Sequence, residues 1–320
     1  MNLSRRYFLF CAGAASLAGG CVSGRFFTGA AADYDPDLTL FLSDIHLSKG
    51  RGGVCYQRDK FAVLVAEILK LNPLPARAVV FGDLARPAGT NDDYVEAVKA
   101  LKPLRDAGID ITIGMGNHDR RSTFFEMFPD HAKRTKLPGR VVSVVEAGAV
   151  DFLMLDGLQG TDDRPWGDMG PVPGALDQAQ QEWVKDVLPK WKKPVFVCSH
   201  FPVEELNVCG KPLSSLLLDA PAVAGYIHGH NHRWYSVPMH RWGKRTVKRS
   251  LGLPSTGHWG DIGYALFRTS GDRAEVALRQ TEYFFPHPPK AGEKVDRRVW
   301  DVICAENQNR TCTFQLPDLG

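Results

Sequence analysis

Along the chain, short runs of Val, Ile, Leu and Phe alternate with stretches in which apolar residues recur every three or four positions. Runs of the first kind read as buried strands and stretches of the second as amphipathic helices. Residues 38–42 form a strand, and residues 58–71 a helix with Phe61, Leu64, Val65, Ile68 and Leu69 on one face. Strand 77–81 follows, then helix 92–106 closed by Gly108, which suits the left-handed position past a helix end. Next come strand 109–113 and a helical piece at 122–128. Segments 140–146 and 149–155 flank Ala147 and Gly148 and read as a hairpin. Residues 156–174, dense in Gly, Pro and Asp, read as a loop, after which Asp177 caps a helix to about residue 188. Strands at 195–199 and 226–228 lead into antiparallel candidates at 234–239, 246–251, 262–268 and 274–278. From Thr281 onward, Pro286, Pro288 and Pro289 and the loss of period predict an irregular tail.

Strands alternating with helices, then a run of strands, predict an α/β fold: two face-to-face mixed β-sheets flanked by helices. A chain of 320 residues, 44% hydrophobic, buries a full core. No repeat or composition break marks a second folded domain. The expected organisation is a leader over 1–32, one domain over 33–280, and a tail over 281–320 packed on it.

The polar residues that follow the apolar runs carry the chemistry. Asp44 and His46 follow the first run, two apart, so an extended chain would turn both to one side. Asp83 follows the second run, and Asn117 and His118 the third. His200 follows 195–199, and His230 and His232 follow 226–229. Singly, each has a structural reading: Asp83 as a cap, His200 as a core imidazole, residues 229–232 as a polar turn. Five strand ends that all supply metal-binding side chains argue against coincidence, because open α/β sheets gather reactive groups beyond the carboxyl ends of their strands.

Carboxylate, amide oxygen and imidazole without thiolate suit Mn, Fe, Zn or Co and argue against a structural zinc. Seven donors exceed what one cation needs. Two divalent metal ions about 3.5–4 Å apart, sharing a carboxylate, match the arrangement for in-line phosphoryl displacement.

The series Asp44-x-His46, Gly82-Asp83, Gly116-Asn117-His118-Asp119, His200 and Gly229-His230-x-His232 resembles the motif series of the calcineurin-like metallophosphoesterases, in that family's order, over roughly residues 38–278. The resemblance implies that Asp44, His46, Asp83 and His232 hold one metal. It implies that Asp83, Asn117, His200 and His230 hold the other, with Asp83 bridging. It implies further that a metal-bridged hydroxide attacks phosphorus while His118 gives a proton to the leaving alcohol. Asp119 would support the turn. Where Ser/Thr protein phosphatases carry an Asp and purple acid phosphatases a metal-binding Tyr, this chain has Arg86, so a coloured ferric site is not expected. Gly89, Tyr94, Arg120, Arg121, Phe124 and Phe128 look most like the bacterial branch that includes cyclic-nucleotide and glycerophosphodiester phosphodiesterases. That branch is broad in substrate. The implied activity is therefore a phosphodiesterase or broad phosphatase acting on a small phosphoester; a non-catalytic metal-binding scaffold on the same fold is the alternative.

Arg120, Arg121 and His258 are candidate contacts for a phosphate or leaving group, a surface charge at a helix start being the preferred reading of Arg121. Trp259 is either a pocket wall or a buried aromatic corner. The basic run Arg241, Lys244, Arg245, Lys248 and Arg249 is expected to coat one hairpin face, and His228 to face the core.

Arg5 and Arg6 directly before a short apolar stretch, 8–20, resemble a twin-arginine export signal. Residues 17–21 also resemble a lipoprotein cleavage box, with the Leu one residue too far from Cys21. Lipid attachment at Cys21, on the outer side of the cytoplasmic membrane, and soluble periplasmic release by a cut near 30–32 both stay open. Cys55 with Cys209, and Cys304 with Cys312, are candidate pairs with free thiols as the alternative; Cys198 reads as buried. The net charge of +3 predicts no nucleic-acid partner.

Overall fold

The computed structural model describes residues 33–49, 55–86, 88–159, 174–241, 244–257, 259–284 and 310–320. The export segment, Cys21, His258, Cys304 and most of the loop over 156–174 lie outside the described residues.

The elements run β1 Tyr34–Leu42, α1 Cys55–Ile68, β2 Leu74–Val80, α2 Asn91–Asp106, β3 Asp110–Ile113, α3 Arg121–Met127, α4 Pro129–Arg134, β4 Ser143–Ala147 and β5 Val150–Met154. They continue with α5 Gln178–Val187, β6 Val195–Ser199, β7 Asn207–Val208, β8 Lys211–Pro212, α6 Leu213–Asp219, β9 Val223–His228, β10 Tyr235–Arg241, β11 Lys244–Gly252, β12 Gly260–Ser270, β13 Arg273–Phe284 and β14 Thr311–Gln315. Helix starts follow local chemistry. Thr90 and Asp93 form a reciprocal capping box at α2, and Asp177 accepts from the Gln180 amide at α5.

Among the described residues two six-stranded sheets form, ordered β14-β13-β12-β1-β2-β3 and β10-β11-β9-β6-β5-β4. Both are mixed: β1, β2 and β3 are parallel and β12 antiparallel to β1, while β5, β6, β9 and β11 are parallel and β10 antiparallel to β11. The sheets share an aromatic core. Phe41 packs edge-on against Phe81 and Phe152, and Phe267 against Phe152 and Phe196, at centroid distances of 4.8–5.3 Å. Each such pair contributes about 0.5–1.5 kcal/mol beyond area burial. The outer face of the first sheet is covered by Phe61, Leu64, Ile68, Tyr94 and Leu101 of α1 and α2, and that of the second by Val184 of α5 and Leu213 and Leu217 of α6. The expected two-sheet α/β architecture is the observed one.

Several expectations are corrected. The tail is not irregular throughout: β13 reaches Phe284, and β14 pairs with it and sends Phe314 to 5.0 Å from Phe196. Lys248 does not simply coat a hairpin. Its Nζ donates to the carbonyls of Leu217, Leu218 and Ala220 and so satisfies the C-terminal end of α6. Among the described residues Cys209 and Cys312 are free thiols, the alternative reading of both, and Cys198 is buried as expected. Among the described residues no helix is long and apolar enough to cross a membrane.

Candidate metal centre

The parallel strands of both sheets end at one edge, and the loops leaving them converge. Backbone bonds lay the β1 and β2 loops side by side: the Asp44 amide donates to Gly82 O at 3.1 Å, His46 to Asp83 O at 2.9 Å and Leu47 to Leu84 O at 2.9 Å. From the second sheet, the His230 amide donates to Asp44 Oδ2 at 3.1 Å, while Thr256 N donates to Ser43 O at 2.7 Å. Asp44, His46, Asp83, His230 and His232 all adopt left-handed backbone, with φ between 48° and 67°. That conformation costs roughly 1–2 kcal/mol per residue and persists where surrounding structure enforces it. It also corrects the extended reading of Asp44 and His46: they meet through a turned loop, not through strand alternation.

Two glycines are required by close approach. A Cβ on Gly116 would lie 2.2 Å from Asp83 Oδ1, and one on Gly229 would lie 2.0 Å from Ser43 Oγ.

The seven candidate donors come together. His46 Nε2 lies 3.3 Å from His232 Nε2, and the latter 3.0 Å from Asp44 Oδ1. On the other side, His200 Nε2 lies 3.0 Å from Asn117 Oδ1 and 3.1 Å from His230 Nδ1. Asp83 Oδ2 stands between the halves, 3.6 Å from His46 Nε2 and 3.4 Å from His200 Nε2. Asp44, His46, Asp83, Asn117, His200 and His232 are all buried.

Tautomers follow from partners. Nδ1 of His200 faces Phe81 O at 2.9 Å and Nδ1 of His232 faces Trp259 O at 3.1 Å. A carbonyl only accepts, so both Nδ1 atoms donate and both Nε2 atoms point into the cluster. Imidazole nitrogens and carboxylates facing each other at these distances call for positive charge among them, as protons or as a metal ion. Burial alone would push the His200 imidazole down, yet Asp83 and Asp44 beside it raise it to about 9. Burial likewise opposes ionisation of both carboxyls, but His200 and His118 around Asp83, and His232 and His200 around Asp44, hold them below the usual range. Among the described residues Oδ1 of Asp44, fully buried, has no hydrogen-bond donor beyond the His232 Nε2 that faces it at 3.0 Å. A hard or borderline cation fits this donor set; Asp44, His46 and His232, and Asp44, Asp83 and His200, each bring three donor atoms within 4.8 Å of one another.

His118 lies at the edge of the cluster, its amide donating to Asp83 Oδ1 at 2.8 Å and its Nε2 4.0 Å from Asp83 Oδ2. Its ring meets His46 edge-on at 4.8 Å. Asp119 turns away from the donors. It accepts from the amides of Gly116 and Ala85 and from the Tyr94 hydroxyl, tying the Asp83 and Asn117 loops together. Burial and the nearby Asp83 raise its carboxyl to about 7.

Arg121 is not the surface charge expected at a helix start. It is buried and grips Asp156 with Nε to Oδ2 at 2.7 Å and Nη2 to Oδ1 at 2.9 Å. Arg120 is half-buried, its amide bonded to the Tyr94 hydroxyl at 3.1 Å. The Trp259 ring lies tilted against His232 at 4.5 Å, making it a wall of the centre. Sequence reasoning misses Ser43, Ser255 and Thr256, which brace Asp44 across the two sheets: Ser43 Oγ donates to Asp44 Oδ2, Ser255 Oγ donates to Asp44 O, and Thr256 Oγ1 accepts the Ser43 amide.

A two-sheet α/β sandwich with buried carboxylates, an amide and imidazoles gathered at its strand ends defines a metal-site protein. The chain belongs to the calcineurin-like phosphoesterase family, whose model matches residues 38–234. No curated protein sequence matches it. Similar solved structures include Vps29 of Chaetomium thermophilum, at 12% identity over 90% of this chain and 100% of that one, with a TM-score of 0.39. TT1561 of Thermus thermophilus aligns at 12% identity over 77% and 98%, with a TM-score of 0.42. The 5'-nucleotidase precursor of the same organism aligns at 16% identity over 76% of this chain and 54% of that one, with a TM-score of 0.42.

Proposed function

We propose that the protein hydrolyses a small phosphoester, a phosphodiester or monoester met outside the cytoplasm, with two divalent ions at the centre. Asp44, His46, Asp83 and His232 hold one ion; Asp83, Asn117, His200 and His230 hold the other. When bound, such ions neutralise phosphoryl oxygens and acidify water. The observation that carries the reading is Asp83 Oδ2, set between His46 Nε2 at 3.6 Å and His200 Nε2 at 3.4 Å.

The chain's own groups divide the remaining work. Asp44 and Asp83 supply two negative charges, which leave a pair of divalent ions positive enough to attract an anionic substrate. His118, beside the donors and not needed as one, protonates the leaving oxygen from its ring nitrogen. Arg120 is the candidate contact for a phosphate oxygen, and His258 keeps the same proposed role. The paired arginines near the N-terminus support export, with or without a lipid at Cys21.

The test is an assay of metal-reconstituted protein against paired mono- and diester chromogenic substrates, with Asp83→Ala and His118→Ala as controls. Turnover by wild type and its loss in Asp83→Ala are expected. Equal turnover by the two would contradict the proposal, and metal binding without any turnover would favour a non-catalytic scaffold.

A further inference from the structure

We infer that Tyr235 and His228 are positioning residues for the pair His230 and His232, acting through Asn231; the inference rests on the metal reading above. His230 and His232 face different halves of the cluster. Nδ1 of His230 lies 3.1 Å from His200 Nε2, whereas Nε2 of His232 lies 3.3 Å from His46 Nε2. Asn231 stands between them, so its placement sets how the two imidazoles are splayed.

Both flanking residues are left-handed, at φ 67° and 53°, a backbone state that neighbouring contacts must hold. The Asn231 side chain is tied by a chain of hydrogen bonds. Its Nδ2 donates to the Tyr235 hydroxyl at 2.8 Å, that hydroxyl lies 3.1 Å from His228 Nε2, and His228 Nδ1 lies 2.8 Å from Gly229 O. With His228 neutral, one set of proton positions satisfies all three. The carbonyl accepts, so His228 Nδ1 donates; Nε2 then accepts the Tyr235 proton, and the Tyr235 oxygen accepts from Asn231. The Asn231 amide closes the loop by donating to the same Gly229 carbonyl at 2.8 Å.

The network thus runs from the last residue of β9, through the first of β10, and back into the turn. His228 is fully buried, with Asn231 and Tyr235 half-buried. It joins two sheet strands to the one residue that separates the ligating imidazoles. Removing the hydroxyl should loosen the turn while leaving both imidazoles in the chain.

Metal-free full-length wild type, Tyr235→Phe, Asn231→Ala and the double variant are titrated with Mn²⁺ by calorimetry, and their metal-free melting temperatures recorded. Tyr235→Phe is expected to weaken Mn²⁺ binding about tenfold, within the range typical of changes to groups behind metal ligands. Its metal-free melting temperature should stay within about 2 °C of wild type. The double variant should bind no more weakly than Asn231→Ala alone, since one pathway is being cut twice. Unchanged Mn²⁺ affinity in Tyr235→Phe, with or without a lower melting temperature, overturns the inference. So do additive losses in the double variant. A wild type that binds no Mn²⁺ overturns the metal reading itself, a distinct result.

Discussion

Oδ2 of Asp83 lies 3.4 Å from Nε2 of His200, although Asp83 follows β2 in one sheet and His200 follows β6 in the other. The centre therefore exists only when the sandwich is closed. Its two buried carboxylates pull a proton onto His200 up to about pH 9 against the cost of burial. That charge relationship makes metal binding dependent on pH.

Ligation through His200 requires its neutral form. Below pH 9 a proton must leave, so apparent Mn²⁺ affinity should rise about tenfold per pH unit between pH 7 and 9, with about one proton released per binding event. Calorimetry in two buffers of different ionisation enthalpy counts that proton. Affinity independent of pH over this window would remove His200 from the ligand set.

His118 is placed to protonate a leaving oxygen. His118→Asn should lower kcat about 10²- to 10⁴-fold for an alkyl ester, whose alkoxide needs the proton. A nitrophenyl ester, whose leaving group departs as a stable anion, should lose far less. Bound metal should not change. Equal losses on both substrates would deny His118 the general-acid role.

Arg121 and Asp156 form a buried two-pronged pair, with side chains 7% and 0% exposed. Arg121→Met would leave the carboxylate uncompensated and should cost about 3–5 kcal/mol of stability. Denaturant unfolding measures it; a loss below about 1 kcal/mol would show that the pair contributes little.

His131 accepts the Ile113 amide at Nε2, 3.1 Å away, at the end of the strand that leads to Asn117. Burial, then Arg134 and Arg105, push its imidazole down to about 4. Unfolded, it titrates near 6.5, so between these values the unfolded chain binds more protons. The stability it supports is present above pH 6.5 and lost as pH falls toward 4, on the order of 3 kcal/mol in all. Unfolding curves at pH 7.5 and 4.5 should show wild type losing more stability than His131→Gln. Equal losses would contradict this.

What the sequence reveals is the position of each donor after an apolar run, because parallel strands deliver their carboxyl ends to one edge. What it hides has physical causes. Phe81 O and Trp259 O, which set the tautomers of His200 and His232, are backbone atoms that leave no trace in residue type. Arg121 reads as a helix-start charge because Asp156 is 35 residues away. Phe314 lies in a five-residue strand beyond a proline-rich stretch, and its burial depends on sheet pairing that no local pattern announces. α6 escapes notice because Ser214 and Ser215 break its short apolar run.

The most direct test is anomalous diffraction from Mn²⁺-loaded crystals of wild type and Asp83→Asn. Two peaks about 3.5–4 Å apart on either side of Asp83 in wild type, with at least one lost in the variant, are predicted. No peak among Asp44, Asp83, His200 and His232, or an unchanged pair in Asp83→Asn, would contradict a centre held together by that carboxylate.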